Sequence, residues 1–200
     1  MYLAISKGRI LEESLELLSN AGIKCNESPI DSRKLIFETN FKKMKIIIVR
    51  ASDVPTYVES GKVDLGIVGK DTLLENQSND LLRLRDLNIA KCRLVVAGKK
   101  GQNLISNMKI ATKYPSITQK YFQSQGLPCS TLKLYGSIEL AAVLDITDAI
   151  VDLVGTGKTL KENGLSEIKL IDNISSFLVA NKTSYKFNKL YVDNFIKELF

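Results

Sequence analysis

The chain has 200 residues, of which 44% are hydrophobic and 25% charged, with 28 basic against 22 acidic side chains and a net charge of +6. That composition fits one large or two small globular domains and excludes disordered and fibrous classes. Apolar runs reach only four to five residues, as in Ile46-Ile47-Ile48-Val49, where a membrane helix needs about 20, so no bilayer-spanning segment is expected. Met1–Gly8 lacks the apolar core of an export signal, and Cys25, Cys92 and Cys129 make no disulfide framework or zinc pattern. A cytoplasmic setting is the expectation.

Histidine is absent. Ser-His-Asp triads, Cys-His dyads and His-ligated metals are therefore excluded, and chemistry falls to carboxylates, cations, hydroxyls, backbone amides or a substrate-borne metal. The 22 lysines are dispersed without an aromatic-interleaved basic stripe, so nucleic acid is not an expected partner. The six arginines point better to phosphate, which a planar guanidinium grips through two parallel bonds.

In chain order, Leu3–Ile5 reads as a strand, then Ser6-Lys7-Gly8-Arg9 leads into a helix with Leu11, Leu15 and Leu18 on one face and Gly22 at its end. Lys45–Val49 reads as a buried strand. Ser52 or Asp53 is placed to cap the next helix, which has Pro55 in its first turn and Gly61 at its end. Leu65–Val68, Arg93–Ala97 and Lys109–Ala111 read as strands, and Pro115 opens a helix ending at Gly126. Thr131–Leu134 is a strand, Ser137 caps a helix to about Leu144, and Ala149–Val154 is a strand. A glycine-rich turn and a short helix stopped at Gly164 follow. Ile168–Ile171 and Leu178–Ala180 read as strands, and Lys186–Phe200 as a closing helix. The alternation predicts an α/β fold with largely parallel sheets.

The turn Gly155-Thr156-Gly157-Lys158-Thr159 joins a strand to a helix, a geometry that presents backbone N–H groups to an anion. Gly157-Lys158-Thr159 matches the end of the nucleotide motif GxxxxGK[ST], but the motif's first glycine is Asp152, whose carboxylate would repel phosphate. A phosphoribosyl pyrophosphate loop makes sense of Asp152: the carboxylate takes ribose hydroxyls, while amides and threonine hydroxyls take the 5′-phosphate. A plain connecting turn is the third reading of these residues alone.

The wider sequence separates the three. Tyr135-Gly136-Ser137-Ile138-Glu139-Leu140-Ala141-Ala142, followed by Asp148 to Leu160, closely resembles the motif of the ATP phosphoribosyltransferase family. Blocks at Ser6–Arg9, Ser32–Leu35, Arg50–Pro55, Asp64–Asp71, Cys92–Val96 and Ala111–Pro115 resemble the family in family order. Departures fall at Ala142, Asp145 and Thr147, in the helix ahead of the loop.

The resemblance implies an enzyme that joins ATP to phosphoribosyl pyrophosphate, forming N1-(5-phosphoribosyl)-ATP and pyrophosphate, the first step of histidine biosynthesis. It implies a fold like a type II periplasmic binding protein, two α/β lobes with the active-site cleft between them. Lobe one would be residues 1–88 plus 177–200, and lobe two 89–176. Arg9 and Arg33 would be catalytic cations, with Lys7, Arg9, Arg33, Arg50 and Asp71 on the ATP side; Asp71 could equally cap the helix after it. Glu139, Asp152, Gly155, Thr156, Gly157, Lys158 and Thr159 would bind phosphoribosyl pyrophosphate. Mg²⁺ would arrive on substrate, without direct protein ligation. The chain resembles the family's short form, which implies a homodimer of catalytic chains and a separate regulatory subunit similar to histidyl-tRNA synthetase, in a hetero-octamer. The last helix, with Phe187, Tyr191, Phe195 and Leu199, could carry that association or cap the core of lobe one. A solute-binding module and another phosphoribosyltransferase are the competing classes; the absent export signal speaks against the first, the spacing of Asp148 and Asp152 against the second.

Overall fold

The computed structural model describes residues 1–30, 32–41 and 43–200. In chain order the elements are β1 (Tyr2–Ser6), α1 (Arg9–Asn20), β2 (Ile36–Glu38), β3 (Lys45–Val49), α2 (Val54–Glu59), β4 (Leu65–Gly69), α3 (Lys70–Glu75) and β5 (Leu81–Asp86). They continue with β6 (Cys92–Lys99), β7 (Lys109–Thr112), α4 (Pro115–Ser124), β8 (Ser130–Lys133), α5 (Glu139–Val143) and β9 (Ala149–Val154). The last are α6 (Lys158–Glu162), β10 (Leu165–Ile174), β11 (Ser176–Asn181) and α7 (Lys182–Leu199). Two compact units result, Met1–Ala90 with Ser175–Phe200, and Lys91–Ile174.

The first unit is a six-stranded sheet ordered β2-β3-β1-β4-β11-β5. Its strand residues alternate between two apolar faces, as a period of two requires. Leu3, Ile5, Ile46, Ile48, Leu65, Ile67 and Leu178 pack with Leu11 and Leu18 of α1 and with Val192, Phe195 and Leu199 of α7. Ala4, Ile47, Val68 and Val179 pack on the other side with Val54 and Val58 of α2. Gly66 lets α2 lie close on β4: a Cβ there would stand 2.7 Å from Val54 Cγ1.

The second unit is a five-stranded sheet ordered β10-β6-β9-β7-β8. Val95, Ala97, Ala111, Ile150 and Val154 form its core with Ala141 and Ala142 of α5 and Leu160 of α6. Neither sheet is largely parallel, contrary to the sequence expectation. Only β1 with β3 and β4, and β7 with β8 and β9, run parallel; the other pairs are antiparallel. Hydrophobic patterning marks a strand but carries no direction, and the antiparallel pairs come from a hairpin at β2–β3 and from strands that return late in the chain.

Several helix starts also differ from expectation. Asp53 precedes α2 without a side-chain cap bond, because it already belongs to a 3-10 turn at Ala51–Asp53. The residue before α5 is Ile138, not Ser137, which takes a left-handed φ of 48°. Asn181 does cap α7, its Oδ1 accepting from Thr183 N and Ser184 N.

The apolar residues of α7 divide by face. Phe195 and Leu199 are buried in the first unit's core, and Phe41 meets the Tyr191 and Phe195 rings at 5.9 and 5.8 Å. Burial pushes the Tyr191 hydroxyl pKa up. Phe187 stands 81% exposed. Phe195→Ala should therefore cost about 3–5 kcal/mol, read as a large drop in the urea midpoint, because it leaves a cavity in the core. Phe187→Ala should move stability by no more than about 0.5 kcal/mol. Similar losses from both would contradict this packing of α7.

Candidate active site

The turn between β9 and α6 is the centre of the predicted loop. β9 runs antiparallel to β6 with Asp152 opposite Val95 and Val154 opposite Arg93. Asp152 is half-buried near the end of the strand, and its Oδ1 accepts from Leu153 N at 2.8 Å. Gly155, Thr156, Lys158 and Thr159 are exposed. Gly157 takes φ 80° and ψ 2°, the left-handed region that favours glycine, and leads directly into α6. Lys158 N donates weakly to Thr156 Oγ1 at 3.4 Å, while Lys158 Nζ lies 3.7 Å from Glu162 on its own helix. The turn thus joins a carboxylate, two threonine hydroxyls and first-turn backbone N–H groups, donors and acceptors suited to a sugar phosphate.

Glu139 is half-buried at the start of α5 in the same unit. Of the family departures, Ala142 is buried in α5, whereas Asp145 and Thr147 lie beyond the end of that helix. Asp145 pairs with Lys99, and Thr147 Oγ1 is buried with no partner among the described residues. Among the described residues no group of three or more Cys, Asp or Glu side chains could enclose a metal. Mg²⁺ usually takes one or two carboxylates together with substrate phosphates. An ion carried on substrate phosphates needs no enclosing cluster, so the residues present fit a substrate-borne ion held without direct protein ligation.

The second unit also holds a pair that sequence reading gave no role. Arg93 Nη2 donates to Glu167 Oε1 at 2.7 Å, and that hydrogen bond, with the charge behind it, raises the Arg93 pKa. Glu167 Oε1 lies 3.6 Å from where a Cβ on Gly157 would stand. Its signal in sequence was weak: one acid in an alternating strand.

The remaining predicted residues fall in the first unit. Lys7 follows β1, exposed, beside a small pocket of about 90 Å³ with Gly8, Leu11 and Ser32. Arg9 opens α1 with its Nη2 donating to Ala90 O at 2.7 Å and its Nε 3.5 Å from Glu13 Oε1. Glu13 Oε2 in turn accepts from Ala90 N at 2.7 Å, so Arg9 and Glu13 together clamp the Ala90 peptide groups. Arg33 and Arg50 are exposed and make no ion pair among the described residues. Asp71 is not a helix cap. It is the second residue of α3, only 7% exposed, and its carboxylate folds back over Gly69, where a Cβ would stand 2.1 Å from Oδ1. Ser176, paired with Gly69, and Ser6 at the end of β1 bury hydroxyls that have no partner among the described residues.

With this geometry in place, comparison with known proteins is specific. The profile of the HisG family, ATP phosphoribosyltransferase, matches residues 50–200. The chain is 47% identical over 198 residues to "ATP phosphoribosyltransferase" of Marinobacter nauticus, covering 98% of this chain and 92% of the relative. It is 51% identical over 192 residues to the protein of that name from Neisseria gonorrhoeae, covering 93% and 87%. Among solved structures, the "ATP phosphoribosyl transferase (HisG:HisZ) complex from Thermotoga maritima" superposes with TM-score 0.85 at 36% identity, over 100% of this chain and 96% of that one. The periplasmic aliphatic sulphonate binding protein SsuA from Escherichia coli superposes at TM-score 0.63 and 16% identity over 100% of this chain and 70% of that one, a likeness of fold alone. The fold is thus the two-lobed α/β fold of type II periplasmic binding proteins, and the chain belongs to the ATP phosphoribosyltransferase family.

Proposed function

We propose that the Asp152–Thr159 turn is the phosphoribosyl pyrophosphate site of an ATP phosphoribosyltransferase reaction, the first step of histidine biosynthesis. The observation that carries this reading is the half-buried Asp152 beside the left-handed Gly157 turn, inside the span the family profile matches. Asp152, with Glu139 as a second acid, holds the ribose hydroxyls. Gly155, Thr156, Gly157 and Thr159 cradle the 5′-phosphate, and Lys158 adds charge at the rim.

The bonds changed fit a chain without histidine. N1 of the ATP adenine attacks C1 of the ribose with a lone pair it already carries, and the bond from C1 to pyrophosphate breaks. No proton has to be removed for that attack. The ribosyl centre turns positive and the leaving pyrophosphate negative, so catalysis rests on placement and on cations. Arg9 and Arg33 stabilise the leaving group, and Lys7, Arg50 and Asp71 complete the ATP side. Mg²⁺ arriving on substrate would add positive charge near the pyrophosphate and so make it a better leaving group.

The setting is cytoplasmic; among the described residues no helix is long and apolar enough to cross a membrane. Catalytic chains pair as a homodimer and assemble with a separate regulatory subunit in a hetero-octamer, without nucleic acid or membrane. The near-complete overlap with a chain of a HisG:HisZ complex supports that assembly.

Asp152→Asn and Thr159→Ala should each lower kcat/KM for phosphoribosyl pyrophosphate by roughly 10- to 150-fold, the loss of a charge-assisted contact, with circular dichroism unchanged. Unchanged kinetics in both variants would withdraw the loop assignment. Arg33→Ala should lower kcat by about 10²–10³-fold and Arg33→Lys should recover only part of it, because the planar fork is lost. Arg9→Ala should lower stability as well as kcat, since it also frees the Ala90 carbonyl. A variant that lost stability alone would return its arginine to a structural role. Histidine should not inhibit the isolated chain, and inhibition should appear on adding the regulatory subunit. A titration showing saturable inhibition of the chain by itself would contradict the two-subunit reading.

A further inference from the structure

We infer that Arg93 neutralises the Glu167 carboxylate beside the Gly157 turn, making Arg93 a positioning residue that acts through Glu167 on phosphoribosyl pyrophosphate binding. The inference deepens the loop reading above and rests on it.

Three observations meet at this point. β6 lies between β9 and β10, and Arg93 on β6 stands opposite Val154, the last β9 residue before the turn. Glu167 on β10, whose register partner on β6 is Ala97, reaches along the sheet to Arg93 with a 2.7 Å bond, beside a register irregularity between Glu167 and Lys169. The same carboxylate oxygen lies 3.6 Å from where a Cβ on Gly157 would stand, so it flanks the one residue of the turn held at positive φ.

A carboxylate there opposes a phosphate bound on the turn, because like charges at close range repel. Arg93 cancels that charge. The pair is 41% and 35% exposed, and ion pairs this open contribute little to folding. Removing Arg93 should therefore show in substrate binding far more than in stability.

The test is steady-state kinetics on the full chain with both substrates varied, alongside thermal melts. Arg93→Ala should raise KM for phosphoribosyl pyrophosphate about tenfold while KM for ATP stays within about twofold. Glu167→Gln, which keeps a hydrogen-bonding group but no charge, should leave KM for phosphoribosyl pyrophosphate within about twofold. The double variant Arg93→Ala with Glu167→Gln should recover most of the loss, since no unbalanced carboxylate remains. Equal rises in both KM values, no rise at all, or a double variant as impaired as Arg93→Ala would overturn the inference. If Arg93→Ala does not fold, Arg93→Gln takes its place with the same expected outcomes. Thr159→Ala is run in parallel. If it raises KM for phosphoribosyl pyrophosphate and the Arg93 variants do not, this inference alone fails; if it leaves that KM unchanged, the loop reading fails and this inference with it.

Discussion

The antiparallel pairing of β6 with β9 is the constraint on which the second unit depends. It sets Asp152 opposite Val95 and Val154 opposite Arg93, at the C-terminal end of β9 where the chain turns. Ile150 and Val154 are buried beneath α5 and α6, so their packing holds the strand against sliding, and a slip of one residue would carry Asp152 to the other face. On its far side β6 holds β10 and with it Glu167. One strand thus places Asp152, the start of the turn and the Glu167 carboxylate beside Gly157. Gly157 completes the arrangement, because the chain enters α6 through a left-handed residue.

The first unit differs in how its arginines are held. Arg33 and Arg50 are exposed and make no ion pair among the described residues, while the apolar core of the unit is built from the sheet, α1 and α7. Arg9 differs. It clamps Ala90 with Glu13, where the chain leaves β5 for β6, so its charge has a structural partner that Arg33 and Arg50 lack among the described residues. A reaction whose nucleophile already carries its lone pair needs no general base, and the absence of histidine costs it nothing.

Much of this was legible in the sequence, and the failures have physical causes. The strand Ala149–Val154 and the helix beginning at Arg9 announce themselves by apolar runs and periodicity. Strand direction does not, so the mixed sheets were read as largely parallel. β5 was missed although Leu82, Leu84 and Asp86 alternate with Arg83 and Arg85, because two arginines in six residues resemble a loop. Ser137 and Asp53 are good capping residue types, yet local turns took both positions out of capping geometry. Asp71 looked like a cap for the same reason and is instead folded over Gly69. The Arg93–Glu167 pair joins residues 74 apart in sequence, a contact that only the sheet order reveals.

The most direct test of the central claim is a crystal structure of the chain with phosphoribosyl pyrophosphate bound. The account predicts the 5′-phosphate on the backbone N–H groups and threonine hydroxyls of residues 155–159, with the ribose hydroxyls on Asp152. A substrate bound elsewhere, with the Gly155–Thr159 turn making no contact to its phosphate, would contradict it.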